Sequence, residues 1–155
     1  MSEIADTEDG VDAGEVLAIC GSFNLRKASR ALTQMFDEAL QPTGLRSTQL
    51  VILLVLARDG ETGMSGLSRE LVLSPSTLSR NLRPLEREGL LRIGGNGQRG
   101  KRVRLTPAGR EAIRRAVPYW QEVQERFTRQ VGADSWREMT ARLDELVMAV
   151  RGTEE

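Results

Sequence analysis

The sequence predicts a mainly α-helical fold with one small β-hairpin. Apolar residues recur every three or four positions through most of the 155-residue chain, a spacing typical of amphipathic helices. Residues 90–105 differ, because short segments that alternate apolar and polar side chains flank a glycine-rich tip there. A chain of this length is expected to form one compact domain, with terminal segments available for assembly.

The first part of the chain is predicted to be a tail followed by one long helix. Residues 1–10 are acidic and show no periodicity, so we expect them to be a disordered tail. Helical spacing begins near residue 11 and continues to residue 40, where Gln41-Pro42-Thr43-Gly44 ends it. This helix carries more apolar residues than one small domain can cover, so residues 11–45 are expected to form a dimerisation helix.

Three shorter helices are predicted next, over residues 49–57, 65–71 and 75–88. The apolar run from Leu50 to Leu56 indicates burial on nearly all sides of the first helix, which Ser47 or Thr48 is placed to cap. Ser74 is a suitable N-cap for the third helix, and Gly89 is suited to the position after its end.

A β-hairpin and two long helices complete the prediction. Residues 90–93 and 101–105 are the expected strands, and residues 94–100 form the tip between them. Thr106 is placed to cap a helix over residues 107–130, and a last helix is predicted over residues 135–150. We expect residues 107–155 to contribute to dimerisation together with the first helix.

The order of the middle elements is that of a winged helix-turn-helix, so residues 46–106 are predicted to be such a DNA-binding domain. At about 100° per residue, Leu78, Leu82 and Leu85 form one apolar stripe on the helix that would enter the major groove. The opposite face carries Ser76, Arg80, Arg83 and Arg87, and Thr77 and Asn81 lie on its flank.

The net charge of zero conceals a strongly basic middle segment. Residues 1–20 contain six acids and no base, whereas residues 74–115 contain eleven bases and three acids. Such segregation points to a polyanionic partner. Arginine can hydrogen-bond guanine and asparagine adenine, while hydroxyls at a helix start suit phosphate. The predicted DNA-binding residues are therefore Ser74, Ser76, Thr77, Arg80, Asn81, Arg83, Arg87, Arg99, Lys101 and Arg102.

Composition argues against most other functions. With no histidine and one cysteine, the usual metal sites and histidine-based acid-base catalysis are excluded, so we expect neither an enzyme nor a cofactor. No apolar run reaches the roughly 18 to 20 residues of a membrane span, and the N-terminus is acidic where a signal peptide is basic. The expected location is the cytoplasm.

Three motifs lie in the predicted DNA-binding segment. Residues 73–82 are L-S-P-S-T-L-S-R-N-L, residues 85–91 are L-E-R-E-G-L-L, and residues 103–109 are V-R-L-T-P-A-G. Together they resemble the MarR family of bacterial transcription regulators, and the resemblance extends over residues 13–150. It implies a homodimer whose first and last two helices intertwine, and two winged domains that bind a pseudo-palindromic operator in double-stranded DNA. It also implies a repressor that a small aromatic or lipophilic effector, or oxidation of a cysteine, releases from DNA.

The resemblance assigns Arg99 to the wing tip. The family's wing pattern is D-x-R, and Gly97 here replaces the acid that normally steadies the arginine. We therefore expect a more mobile tip with a weaker contact.

Two alternatives remain at this stage. Cys20 lies near the position of the reactive cysteine in the peroxide-sensing branch of the family, which suggests a redox-sensing repressor. Alignment places that position at Ser22, however, and a buried cysteine is most often a small apolar residue. A winged-helix dimer that contacts partner proteins instead of DNA is the other alternative, although a protein-binding helix would more often display apolar anchors than arginines.

Overall fold

The computed structural model describes residues 12–95 and 100–152. The predicted tail, Gly97 and Arg99 lie outside these residues. The described residues form seven helices and three short strands, which confirms a mainly helical winged helix-turn-helix fold. In chain order the elements are α1 (Ala13–Ile19), α2 (Gly21–Leu40), a 3-10 turn (Gln41–Thr43), α3 (Ser47–Asp59), β1 (Thr62–Gly63), α4 (Met64–Glu70), α5 (Pro75–Arg87), β2 (Leu91–Gly94), β3 (Arg102–Leu105), α6 (Pro107–Val131) and α7 (Ala133–Arg151).

The predicted N-terminal helix is wrong in one respect, because it is broken at Cys20. This residue has an extended ψ of 106° and ends α1 while it caps α2. The side-chain amide of Asn24 donates hydrogen bonds to the carbonyls of Leu17, Ala18 and Cys20 at 3.0–3.2 Å. The carbonyls of Leu17 and Cys20 also accept backbone N–H groups, from Cys20 and Asn24, whereas that of Ala18 has the Asn24 amide as its partner. The local side chain thus stabilises a bend that apolar periodicity does not reveal.

The start of α3 is also held differently from the prediction. Ser47 is the first residue of this helix, and its backbone N–H and hydroxyl both donate to Asp37 on α2, each at 2.7 Å. Arg46 lies 3.7 Å from the same carboxylate. A side chain from a neighbouring helix therefore satisfies the helix start, in place of the predicted Ser47 or Thr48 cap.

The core lies between α3, α5, α6 and the sheet. Its fully buried members include Leu53 and Leu56 from α3 and Leu91 and Val103 from the strands. The sheet is antiparallel with strand order β1-β3-β2, and β1 was missed because residues 59–63 resemble a simple turn. The apolar run of α3 is buried as predicted on most of its sides, although Val51 remains half exposed.

The turn between α4 and α5 contains an unusual backbone conformation. Val72 has a φ of +52°, a left-handed value that a β-branched residue rarely adopts. Its neighbour Leu73 donates its N–H to the carbonyl of Ser68 at 2.9 Å and accepts a bond from the Ser68 hydroxyl. The two bonds with Ser68 thus fix the direction in which α5 leaves the turn.

The ends of α3 and α4 are joined by an ion-pair cluster. Arg58 contacts Asp59 and Glu70 at 2.6 and 2.8 Å, and its hydrogen bond lowers the pKa of Asp59 below the usual value. Near the same place, Arg151 at the end of α7 donates to the carbonyl of Arg69 at 2.9 Å. The last helix is therefore tied to the helix-turn-helix of the same chain.

The terminal helices expose many apolar side chains. α6 and α7 pack on each other through Phe127 and Trp136, whose rings meet edge to face at 4.8 Å. On α1, α2 and α7 the exposed apolar residues include Val16, Leu17, Ile19, Phe23, Leu25, Met139, Leu146, Val147 and Met148.

None of the helices in residues 12–95 and 100–152 is by itself long and apolar enough to cross a membrane. Residues 21–43 and 47–59, which are bent by 77° relative to each other, have the length and composition of a membrane span only as a pair.

Candidate nucleic-acid interface

The helix α5 presents the two faces that the sequence predicts. Leu78, Leu82 and Leu85 are all fully buried against the core. The opposite face is exposed at Ser76, Arg80, Arg83 and Arg87. Because the leucine stripe fixes the rotation of the helix about its axis, the arginine face is held toward solvent.

Hydroxyl groups surround the first turn of α5. Ser74 caps the helix as predicted, since its hydroxyl accepts the N–H of Thr77 at 3.2 Å. The Ser74 and Thr77 hydroxyls lie 2.9 Å apart, and Ser76 is 3.2 Å from Ser74. Arg80 approaches the Thr77 hydroxyl at 3.4 Å. Three hydroxyl groups and the Arg80 guanidinium therefore lie close together at the start of a helix, where the helix dipole favours binding of an anion.

The wing lies beside α5, and a hydrogen bond joins the two elements. Glu86 on α5 accepts the backbone N–H of Ile93 on β2 at 3.1 Å. Between helix and wing there is a concavity of about 430 Å³, whose lining includes Ser79, Arg83 and Lys101. Glu86 was missed by sequence reasoning because an acid on a basic helix gives no sign of its partner on another element.

Arg102 and Lys101 differ in their surroundings. Arg102 donates to the Glu61 carboxylate at 2.5 Å and to the Glu61 carbonyl at 2.7 Å. Lys101 is exposed at the end of the concavity. Of these two residues, Lys101 is therefore the freer to bind an anion.

Asn81 lies away from the exposed arginine face. It is half-buried and lines a crevice of about 420 Å³ between the winged domain and the helices α2 and α6. The ring of Trp120 is also part of this wall, and its centre lies 6.5 Å from that of Phe36. Among the described residues, those that line the crevice are uncharged: Leu32, Thr33, Phe36, Ser47, Thr48, Leu50, Val51, Ile52, Leu54, Leu71, Leu73, Asn81, Trp120, Gln124 and Trp136.

Cys20 is separated along the chain from the DNA-binding elements. Its sulfur accepts the N–H of Phe23 at 3.4 Å at the start of α2. In the part of the chain that the structure describes, no cluster of three or more histidine, cysteine or acidic side chains is arranged to hold a metal ion.

A family model described as bacterial regulatory protein, arsR family, matches residues 46–92, which cover α3 to β2. The match thus corresponds to the helix-turn-helix and the first strand of the wing. No curated protein matches the chain.

Solved structures match nearly the whole chain. The transcriptional regulator MosR of M. tuberculosis in complex with DNA is 36% identical, over 88% of this chain and 99% of that chain, with a TM-score of 0.79. MosR in another crystal structure is 34% identical over 86% and 97% of the two chains, with a TM-score of 0.76.

Two more distant structures share the fold. A MarR-family transcriptional regulator from Silicibacter pomeroyi is 24% identical over 94% and 100% of the two chains, with a TM-score of 0.69. CouR of Rhodococcus jostii RHA1, bound to p-coumaroyl-CoA, is 22% identical over 84% and 94%, with a TM-score of 0.72. MosR and the Silicibacter pomeroyi protein are transcriptional regulators. The identity with MosR over almost all of both chains, together with this shared fold, shows that the chain belongs to the MarR family of winged helix-turn-helix, DNA-binding transcription regulators.

Proposed function

We propose that the protein is a sequence-specific repressor that binds a pseudo-palindromic operator as a homodimer. The observation that carries the proposal is the exposed arginine face of α5, held opposite a fully buried leucine stripe and beside a basic wing. The DNA complex of MosR supports it, since MosR is 36% identical to this chain. A regulator of bacterial genes acts where the chromosome lies, in the cytoplasm.

Each residue of the interface is assigned a role by its chemistry. Arg80, Arg83 and Arg87 face the major groove, where arginine can bind guanine through two hydrogen bonds. The hydroxyls of Ser74, Ser76 and Thr77 suit backbone phosphates. On the wing, Lys101 and the sequence-predicted Arg99 complete the contact at the adjacent minor groove.

Homodimerisation would cover the exposed apolar residues of the terminal helices. Residues 11–45 and 107–155 are the proposed dimerisation segments, and residues 46–106 the DNA-binding domain. Ile19 is 88% exposed and Met148 is 74% exposed, although both are apolar. A two-fold dimer places two copies of α5 on one side, so the half-sites would lie about one helical turn, roughly 10 bp, apart.

The crevice is the proposed site of a small effector that releases the DNA. Its size lies within the usual range for ligand pockets, and its walls are mainly apolar and aromatic. CouR, which shares the fold, binds p-coumaroyl-CoA. Because the described lining is uncharged, an uncharged aromatic or lipophilic compound fits best. Asn81 belongs to α5, so an occupant of the crevice would contact the DNA-binding helix directly.

A gel-shift assay with fragments of the source genome tests the main proposal. We expect one or a few fragments to be bound selectively by a dimer, with an affinity that falls steeply as salt rises. Binding that is weak, insensitive to salt and indifferent to sequence would contradict the repressor and favour the protein-interaction alternative.

The redox alternative depends on Cys20 alone. Because the chain has one cysteine, any disulfide would have to join two subunits. Peroxide should then abolish DNA binding by the wild type but not by Cys20→Ser. An equal response of both proteins would exclude a redox role for this residue.

A further inference from the structure

The last helix of the chain ends beside the turn that precedes α5. α6 and α7 meet at Gly132, and Trp136 packs on Phe127 close to this junction. From there α7 extends over 19 residues, which span about 28 Å at roughly 1.5 Å per residue. At its far end the guanidinium of Arg151 donates a hydrogen bond to the carbonyl of Arg69 at 2.9 Å. One bond therefore joins two segments that are 82 residues apart in the sequence.

The carbonyl of Arg69 is a suitable acceptor for a cation. It belongs to the last turn of α4, where carbonyls lack regular helical partners and the helix dipole places negative charge. The same carbonyl accepts the N–H of Val72 at 3.2 Å, so it is part of the turn as well as of the helix. On α3, Arg58 contacts the neighbouring Glu70 at 2.8 Å. The end of α4 is thus held by one arginine from α3 and by Arg151 from α7.

The turn after α4 determines where α5 begins. Val72 has a φ of +52°, and such a strained conformation persists only where the surrounding contacts hold the segment in place. Leu71 and Leu73, on either side of Val72, line the crevice. Ser74 follows at once as the N-cap of α5. Because one residue separates Val72 from this cap, a shift of the turn moves the start of α5.

We propose that Arg151 is a positioning residue for DNA binding. By holding the Arg69 carbonyl it fixes the turn, and hence the angle at which the exposed arginine face of α5 meets the major groove. Arg151 acts through Arg69 and does not itself contact DNA. The inference rests on the proposed DNA binding and adds to it a residue from the opposite end of the chain. Because α7 also belongs to a proposed dimerisation segment, the bond links assembly of the dimer to the orientation of α5.

The test compares three single variants of the full chain with the wild type. Arg151→Met removes the donor but keeps most of the length of the side chain, whereas Arg151→Lys keeps a charged donor. Arg142→Met is the matched control, because Arg142 lies on the same helix and pairs with Glu145 of α7 itself. Both arginines are exposed, so all three variants should melt close to the temperature of the wild type.

Hydrogen–deuterium exchange followed by NMR tests the turn in the absence of DNA. The amides of Val72 and Leu73 donate to the carbonyls of Arg69 and Ser68. In Arg151→Met they should exchange about three- to tenfold faster, the effect of losing one typical hydrogen bond. Arg151→Lys and Arg142→Met should exchange like the wild type. Unchanged exchange in Arg151→Met, or faster exchange throughout the chain, would overturn the inference.

Fluorescence anisotropy measures the effect on DNA binding. The duplex is enriched from a random library by the wild type, and binding is measured between about 50 and 200 mM salt. Arg151→Met should bind about three- to tenfold more weakly with an unchanged salt slope, and Arg151→Lys should recover most of the affinity. If Arg151 instead contacted phosphate, the slope would fall by about 1.8, since each of two copies contributes about 0.9. That fall would contradict a positioning role.

The outcomes separate the two proposals. If Arg151→Met bound the enriched duplex as tightly as the wild type does, the inference about Arg151 would be wrong while the repressor proposal stood. If the wild type enriched no sequence at all, the repressor proposal itself would be overturned, and the positioning role with it.

Discussion

Gly109 of α6 lies directly against the carbonyl of Leu90 at the base of the wing. A Cβ on Gly109 would be 2.1 Å from that oxygen and 2.6 Å from a methyl carbon of Leu105. Thr106 donates its N–H to the same Leu90 carbonyl at 3.1 Å and its hydroxyl to the carbonyl of Gly89 at 2.6 Å. The Leu105-Thr106-Pro107-Ala108-Gly109 motif therefore packs the start of α6 so closely against the wing that position 109 has no space for a side chain.

Gly109→Ala should lower the free energy of unfolding by about 3 kcal/mol or more, because a backbone oxygen cannot move away from the added methyl group. Urea unfolding followed by circular dichroism measures the change. Gly66→Ala is the matched control, since its Cβ would lie 3.4 Å from a Thr62 methyl group, an ordinary contact, and alanine favours the helix α4. Equal stability of both variants would contradict the close packing at Gly109.

Val72→Asn should stabilise the protein by about 1 kcal/mol, because asparagine tolerates the left-handed conformation that valine adopts at high cost. Val72 is 59% exposed, so little packing is lost. Val72→Ala is the comparison, since alanine keeps the Cβ that causes the strain. Thermal unfolding of the wild type and the two variants should give the highest melting temperature for Val72→Asn. An equal rise in melting temperature for Val72→Ala would mean that relief of the left-handed conformation is not the cause of the stabilisation.

Arg80→Ala should weaken binding to the selected operator by about 1 to 3 kcal/mol, the usual value of a two-bond contact with guanine. Binding to unrelated DNA should change much less. Arg126→Ala on α6, an exposed arginine outside the interface, should leave both affinities unchanged. Fluorescence anisotropy with the operator duplex and with an unrelated duplex measures both affinities. An equal loss of affinity for both duplexes would mean that Arg80 contacts phosphate and not a base.

Asn81→Ala tests whether Asn81 contacts DNA, as the sequence predicts, or only lines the crevice, as the structure places it. The sequence suggests an adenine contact, whereas the structure places the side chain in the wall of the crevice. We expect operator affinity and base preference to stay within about threefold of the wild type, less than the 1 to 3 kcal/mol of a lost base contact. Selection from a random library with both proteins is the measurement, and loss of one preferred adenine would restore the original assignment.

The double variant Ile19→Glu/Met148→Glu should dissociate the proposed dimer, because burying an unpaired carboxylate in an apolar interface is strongly unfavourable. Both side chains are more than two-thirds exposed in the single subunit, so its own packing should not suffer. Light scattering after gel filtration gives the mass. Ser135→Glu adds a charge at an exposed polar position of α7 and should remain dimeric.

The sequence predicted what depends on residues close together in the chain. The buried stripe of Leu78, Leu82 and Leu85 follows from helical spacing, and the caps at Ser74 and Thr106 follow from local hydrogen bonding. Features that depend on contacts between elements were missed. The Asp37 contact with α3 is such a case, because it joins two helices across a turn.

The same reason explains the unpredicted break at Cys20 and the placement of Asn81. At the break between α1 and α2 the Asn24 side chain bonds to nearby carbonyls, while the apolar pattern continues through it. Asn81 lies near the edge of its helix face, so only the position of α6 decides whether it meets solvent or the crevice. A helical wheel describes one helix and contains no information about its neighbours.

The hydrogen bond between the Glu86 carboxylate and the Ile93 N–H helps to hold the distance between α5 and the wing constant. A DNA site that satisfies the helix must then present its minor groove at one set distance along the duplex axis. Because duplex DNA repeats its grooves regularly, the wing then meets a minor groove whichever base pairs lie between the two contacts. An operator for this protein should therefore tolerate changes of sequence in that interval.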